Sequence, residues 1–170
     1  PTTLEGLEEM LLKFHTDDPD GNGVADTYAL NRFDDYHAYV LGAYGVSSRY
    51  WYPDAEGKPA TYAVDENYKE ALKVLARWYQ NGIFDPEIVT DGRNETTAKF
   101  INNKLAGYFG MEWAYTIGHS ISPRHNAYLQ GNPIDTTFIP PVAGPEGKAA
   151  TTQYSATVAT SGMVFGRNCP

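Results

Sequence analysis

In "TTLEGLEEMLLKFH", Leu4, Leu7, Leu11 and Phe14 fall on one face at the 3.6-residue period, which predicts an amphipathic helix. Thr2 and Glu5 stand at capping-box spacing at its start. "DTYALN" is a short strand candidate. "RFDDYHAYVLGAYG" predicts a second helix, with Asp34 or Asp35 near its beginning and Gly42 or Gly45 near its end. "RYWYPDAEGKPATYAV" alternates around an acidic, glycine-containing turn and predicts a hairpin, with Trp51 packed on it or in the core; the alternative is an exposed face that extends the binding surface. A longer helix follows in "DENYKEALKVLARWYQNG". Asp65 is its expected N-cap, Tyr68, Leu72, Leu75 and Tyr79 its apolar stripe, and Gly82 with Ile83 a Schellman-like stop. Trp78 beside Tyr79 also reads as core. Pro86 in "IFDPEI" breaks the helical run. "NETTAKFINNK" predicts a shorter helix and "LAGYFGM" a buried strand. "EWAYTIGHSI" opens a helix or loop, "DTTFIPPVAGPEGK" is a strand ending in a Pro/Gly turn, and "TQYSATVATSGMVFG" is extended. Helices and strands interleave throughout, so the class is α/β or α+β.

Composition narrows the picture. At 170 residues the chain fits one domain with a sizeable core. It is 42% hydrophobic and only 20% charged, which is a globular and not a disordered balance. A net charge of -8 with no basic patch argues against nucleic acid and anionic membrane surfaces as partners. No apolar run is long enough to span a membrane, and no signal peptide is visible. The single cysteine, Cys169, builds neither a disulfide framework nor a zinc site. The histidines His15, His37, His119 and His125 show no metal-ligand spacing. The aromatic share of 14% suits a surface that stacks on flat or ring-shaped ligands. A start at Pro1 and a stop at "GRNCP" are expected of a piece of a longer protein.

The stretch "DDPDGNGVAD" carries the clearest chemical pattern. Counted from Asp18, side-chain oxygens fall at loop positions 1, 3, 5 and 9, as Asp18, Asp20, Asn22 and Asp26. Gly23 stands at position 6 and Val24 at position 7, where a backbone carbonyl faces inward. This is the first nine-residue half of an EF-hand-type loop, whose alternate residues converge on one calcium ion. Position 12 is Ala29, so the bidentate Glu of a full EF-hand is missing. Thr27, a water, Asp17 or Glu9 would complete the shell. The competing reading is a solvated Asp/Gly-rich turn.

The order of phrases then becomes recognisable. A helix, then "DPDGNGVADTYAL", "GAYG", "YWYPDAEGK", "YKEALKVLARWYQNGIFDPE" and "AKFINNKLAGYFGMEWA", resembles the extracellular solute-binding proteins of bacterial ABC importers. The closest type is the oligosaccharide-binding, lipoprotein-like one. The resemblance implies a periplasmic-binding-protein-like α/β lobe with a central, mostly parallel sheet flanked by helices. Residues 1–170 would be the second lobe of a two-lobe protein, with the last ~15 residues crossing back toward the first lobe. It further implies a carbohydrate, an oligosaccharide by type, as solute, ABC permease subunits as partners, and an extracellular place with a lipid anchor on the full-length protein. No chemistry on the ligand is expected. The loop would hold a structural Ca2+ through Asp18, Asp20, Asn22, the Val24 carbonyl and Asp26.

Four residues are ligand candidates. Trp113 follows the predicted strand, where open α/β sheets bind ligands beyond the carboxyl ends of strands. Its indole would stack on a sugar ring; the alternative is a core Trp. Glu112 would accept from sugar hydroxyls or serve as helix-start charge. Asp35 and Tyr36, with Asp34, open the second helix, which the resemblance places at the cleft. The paired acids could suggest a calcium-stabilised glycoside hydrolase, but neighbours on a helix do not face each other. A dockerin-like module would need two copies of the loop, and one is present.

Overall fold

Three leucines seat the first helix. α1 (Leu4–Thr16) buries Leu4, Leu7 and Leu11, the predicted stripe, while Phe14 packs at the rim of the core. Its N-cap is Thr3 and not the expected Thr2; the Thr3 hydroxyl accepts from the Gly6 N–H at 3.2 Å. Thr3 is held extended, because Ala143 donates to the Thr2 carbonyl and accepts from Leu4 N–H on either side of it. Helical geometry therefore begins at Leu4, and Glu5 falls one position short of the capping box.

The computed structural model describes residues 1–19, 21–31, 33–46, 51–54, 56–107, 123–131, 137 and 139–149, with the side chains of 33–36, 38, 52 and 123–125 set aside. In these, α2 (Phe33–Ala43) leads to a hairpin of β1 (Tyr52–Pro53) and β2 (Pro59–Ala60). A 3-10 turn (Tyr62–Val64), α3 (Glu66–Gln80), a second 3-10 turn (Pro86–Val89), α4 (Arg93–Ile101) and α5 (Pro123–Leu129) complete the order. The predicted segments over 108–122 and 152–166 lie outside the described residues.

α2 and α3 end in the same way. At α3, Ile83 N–H bonds the Trp78 carbonyl at 3.0 Å and Gly82 N–H bonds that of Tyr79 at 3.2 Å. This is the predicted Schellman pattern, and Gly82 takes the φ of +75° that it demands. At α2, Val46 reaches Leu41 and Gly45 reaches Gly42, so Gly45 and not Gly42 is the stop. Asp65 caps α3 as expected, accepting from Asn67 N–H at 2.8 Å.

The buried stripe of α3 is Ala71, Val74, Leu75 and Trp78. It is rotated by about one position from the prediction: Trp78 is fully enclosed, whereas Tyr79 is 52% exposed. α2 packs against α3 and brings Val40 and Leu41 into the same core as Trp78. Trp51, expected on the hairpin or in the core, is 73% exposed instead. The hairpin is closed by its turn, not by an aromatic lid: Asp54 Oδ1 accepts from Glu56 and Lys58 N–H at 3.0 and 2.8 Å.

At the centre runs the segment 27–31. Leu30 bridges Phe84 and Tyr28 bridges Leu105, both in parallel. Ala29, Leu30, Ile83, Phe84 and Leu105 are all buried there. Thr3 and Ala143 form a third parallel bridge. Among the described residues these contacts remain isolated bridges, and the two-stranded antiparallel hairpin is the one sheet formed. The described part is thus richer in helix than the α/β pattern predicts. α5 escaped the sequence reading, although Pro123 at its first position and Gly131 just past its end, at φ +74°, are its start and stop signals.

Candidate functional site

Because 28–31, 83–85 and 105–107 run the same way, their carboxyl ends share one edge. α2 starts from that edge directly after Asn31. Asp35 and Tyr36 lie in its first turns, so the backbone puts both near this edge. Glu112 and Trp113 lie outside the described residues, as does Asp20.

The same edge holds a buried polar cluster that sequence reading missed. Asn31, Asp85 and Thr96 are each at most 3% exposed. Asn31 Nδ2 donates to Asp91 Oδ2 at 2.9 Å and, more weakly, to Asp85 Oδ2 at 3.3 Å. Thr96 Oγ1 lies 3.2 Å from Asn31 Oδ1. Lys99 Nζ reaches Asp85 and Asp91, each at 2.7 Å, and also pairs with Glu87. The carboxylates of Asp85, Glu87 and Asp91 converge within 4.8 Å of one another, a spacing that would suit a metal ion. Here the chain supplies its own cation. Burial alone pushes the Lys99 pKa down, but the bonds from Asp85, Asp91 and Glu87 outweigh it and hold the ammonium above the ordinary lysine range. The sequence signal was faint, since the members come from 31, 85–91 and 96–99, with no fixed spacing to read.

The acidic loop has a different organisation. Asp18, at φ +46°, accepts from Asn22 N–H at 3.2 Å and Gly23 N–H at 2.8 Å. Asn22 Oδ1 accepts from Val24 N–H at 2.7 Å, and the Val24 carbonyl accepts from Asp26 N–H at 2.9 Å. Asp26 Oδ2 takes the Lys104 ammonium at 2.7 Å. Gly21 and Gly23 at φ +67° and +79° give the curl. Each oxygen retains a second lone pair, so Asp18, Asn22, Val24 and Asp26 are chemically suited to a hard cation, with Lys104 as a competitor.

Two of the histidines, His15 and His37, have defined contacts. His15 Nδ1 lies 3.0 Å from the Thr27 carbonyl and its ring stacks on Tyr28 at 5.2 Å. A Cβ at Gly82 would come within 2.6 Å of the His15 ring, so the α3 stop also makes room for this contact. His37 meets Tyr68 edge-on at 5.8 Å.

On α4, Asn94, Thr97, Ala98 and Ile101 form one face at helical spacing and look toward Asn126 and Gln130 of the α5 region. With Asn102 they line a groove of about 250 Å³.

No family model matches the chain. It is 24% identical over 174 residues to the fructooligosaccharide ABC transporter substrate-binding protein FusA of Streptococcus pneumoniae, covering 99% of this chain and 29% of that protein. It is also 24% identical over 151 residues to the polygalacturonan/rhamnogalacturonan-binding protein YtcQ of Bacillus subtilis, covering 87% of this chain and 29% of that protein. Among solved structures, an extracellular solute-binding protein from Bifidobacterium longum subsp. infantis matches 71% of this chain and 28% of its own, at 24% identity and a TM-score of 0.53. The chain therefore shares its fold with a stretch of a solute-binding protein, and it spans 29% of the length of both curated relatives. The resemblance to ABC-importer binding proteins read from the sequence is found again in these comparisons, and the curated relatives are binding proteins, not enzymes.

Proposed function

We propose that the chain is the second lobe of an extracellular receptor that binds a carbohydrate and presents it to an ABC permease. The observation that carries this is the similarity to FusA along 99% of the chain. On this reading residues 1–170 form one lobe, and the full-length receptor is tethered by a lipid anchor. The parallel bridges at Leu30 and Leu105 support a mostly parallel sheet continuing into "LAGYFGM". Trp113 then stacks on a sugar ring beyond that strand, Glu112 accepts from hydroxyls, and Asp35 and Tyr36 contribute from the start of α2. Ligand would be enclosed by closure of two lobes, with no bond made or broken.

The loop from Asp18 to Asp26 is proposed to hold a structural calcium ion through Asp18, Asp20, Asn22, Val24 and Asp26. Its curled backbone supports this, and Lys104 on Asp26 opposes the charge when the ion is away. When bound, the ion supplies charge neutralisation and loop rigidity, and it takes no part in holding the sugar.

Calorimetric titration of the full-length receptor against neutral and acidic oligosaccharides tests the reading. Saturable one-to-one binding of a member of either class is expected, and indifference to every glycan offered would refute it.

A further inference from the structure

We infer that the α4–α5 groove is a subsite for a single ring of a neutral oligosaccharide. The inference rests on the carbohydrate reading above and deepens it. A helix face at Asn94, Thr97, Ala98 and Ile101 spacing, opposed by a second helix, ordinarily carries apolar residues that close the gap. Here it carries a carboxamide and a hydroxyl, and α5 answers with two more carboxamides, Asn126 and Gln130. Among the described residues, the side chains of Asn94, Thr97, Asn102, Asn126 and Gln130 make no hydrogen bond. Each carboxamide offers two donors and one acceptor, and ring hydroxyls can both give and accept, so amide-lined grooves match neutral polyols. Ala98 and Ile101 supply an apolar floor for the C–H face of a ring. At about 250 Å³ the groove falls just under the roughly 300–1,000 Å³ of drug-sized sites, which fits one ring and not a longer segment.

Charge separates neutral sugars from uronates. Among the described residues, no lysine or arginine side chain lines the groove. Five described cations are engaged by carboxylates: Lys73 by Glu70, Arg77 by Glu8, Lys99 by three acids, Lys104 by Asp26 and Lys148 by Glu146. A chain of net charge -8 repels a polyanion at long range.

The test is an NMR titration of the 170-residue chain, labelled at asparagine and glutamine side-chain amides, with the neutral fructan trisaccharide kestose and with trigalacturonate. Kestose should shift the Asn94, Asn126 and Gln130 side-chain signals saturably, and trigalacturonate should bind about tenfold more weakly, the weaker binding easing as salt screens the repulsion. Asn126→Ala and Gln130→Ala should each weaken kestose about fivefold, the scale of one neutral hydrogen bond. Because both side chains are at least partly solvent-facing, unchanged backbone spectra will show that the variants fold. Kestose shifts confined to other amides would remove the groove while leaving the carbohydrate reading intact. Preference for trigalacturonate would overturn the neutral class alone. Silence toward both sugars would overturn the groove assignment, and the calorimetric titration of the full receptor decides the carbohydrate reading separately.

Discussion

Two parts of this molecule gather carboxylates, and they tolerate the repulsion by different means. The Asp85–Glu87–Asp91 cluster is mostly enclosed, and it encloses an ammonium, Lys99, from its own chain. The described part of the loop from Asp18 to Asp26 is largely exposed; there Asp18 turns to backbone N–H groups, and Lys104 covers Asp26. In the first, Asp85 and Asp91 are largely shielded from water, so a counter-charge from the chain offsets the cost of burying them. In the second, solvent screens much of the repulsion, so the site can remain open to a diffusible cation. A site with a fixed cation serves architecture, tying the carboxyl edge of the 28–31 and 83–85 segments to α4. The loop, whose lysine pairs with Asp26 at its edge, can still respond to solution conditions.

The sharpest way to break this contrast is Lys99→Met. Removing the ammonium leaves Asp85 and Asp91 buried and uncompensated, which should cost roughly 3 kcal/mol in urea unfolding, at the lower end for a broken buried pair because Lys99 keeps 25% of its side chain exposed. The Lys99 pKa is raised in the fold, so its stabilisation is fully present below the ordinary lysine value of about 10.4 and fades only as pH rises above it. The gap between wild type and Lys99→Met should accordingly be flat from neutral pH upward until strongly alkaline solution. A gap that closes near pH 8 would contradict the arrangement.

Next in size is the response of the loop to calcium. A hundredfold excess over the dissociation constant should stabilise the protein by about 2.7 kcal/mol, with chelator lowering the melting temperature and magnesium restoring it less well than calcium. Asp20→Ala should abolish most of that response. Lys104→Ala should tighten calcium binding by freeing Asp26, at an expense of only about 0.5 kcal/mol in chelator. Melting that ignores chelator in all three proteins would leave the loop as a solvated turn.

A third ion pair marks the weak end of the scale. Arg77 donates to both Glu8 oxygens across α1 and α3, at 2.8 and 2.5 Å. Arg77 holds the Glu8 carboxyl below its ordinary value, against the upward push of burial. The wholly buried Trp78 indole N–H also acts on Glu8, though it meets no acceptor with hydrogen-bond geometry, so it is a loose contact. Because Arg77 is half exposed, Glu8→Gln should cost only about 1 kcal/mol at neutral pH. A lowered folded pKa means stability present above the unfolded value and lost as pH falls through the folded one, so wild type and Glu8→Gln should converge in acid. Divergence in acid would reverse the assignment.

The contrast also explains what could be read in the sequence. Local signals were legible: the leucine stripe of α1, the Asp65 cap, the Gly82 stop and the Asp54 turn each depend on residues within a few positions. The curl of the acidic loop is local in the same way, set by Gly21, Gly23 and the Asp18 acceptor within a few positions. The Lys99 cluster was not, because Asn31 and Thr96 are 65 positions apart and meet only when the parallel segments align. Trp78 was read correctly as core, but Tyr79 was misjudged because periodicity gives the direction of a face only to about one residue. α5 was missed because seven residues are too few to show a period. Trp51 misled because alternation predicts two faces without saying whether anything covers either one.

The central claim, that this chain is the ligand-binding lobe of a carbohydrate receptor, is tested most directly by calorimetric titration of the full-length receptor with its best-binding oligosaccharide, wild type beside Trp113→Ala. The account predicts saturable one-to-one binding, weakened by about 1–3 kcal/mol in the variant through loss of an aromatic anchor, with melting temperature nearly unchanged. Equal affinity in both proteins, or a variant that loses stability and not affinity, would place Trp113 in the core and contradict the assignment of the binding edge.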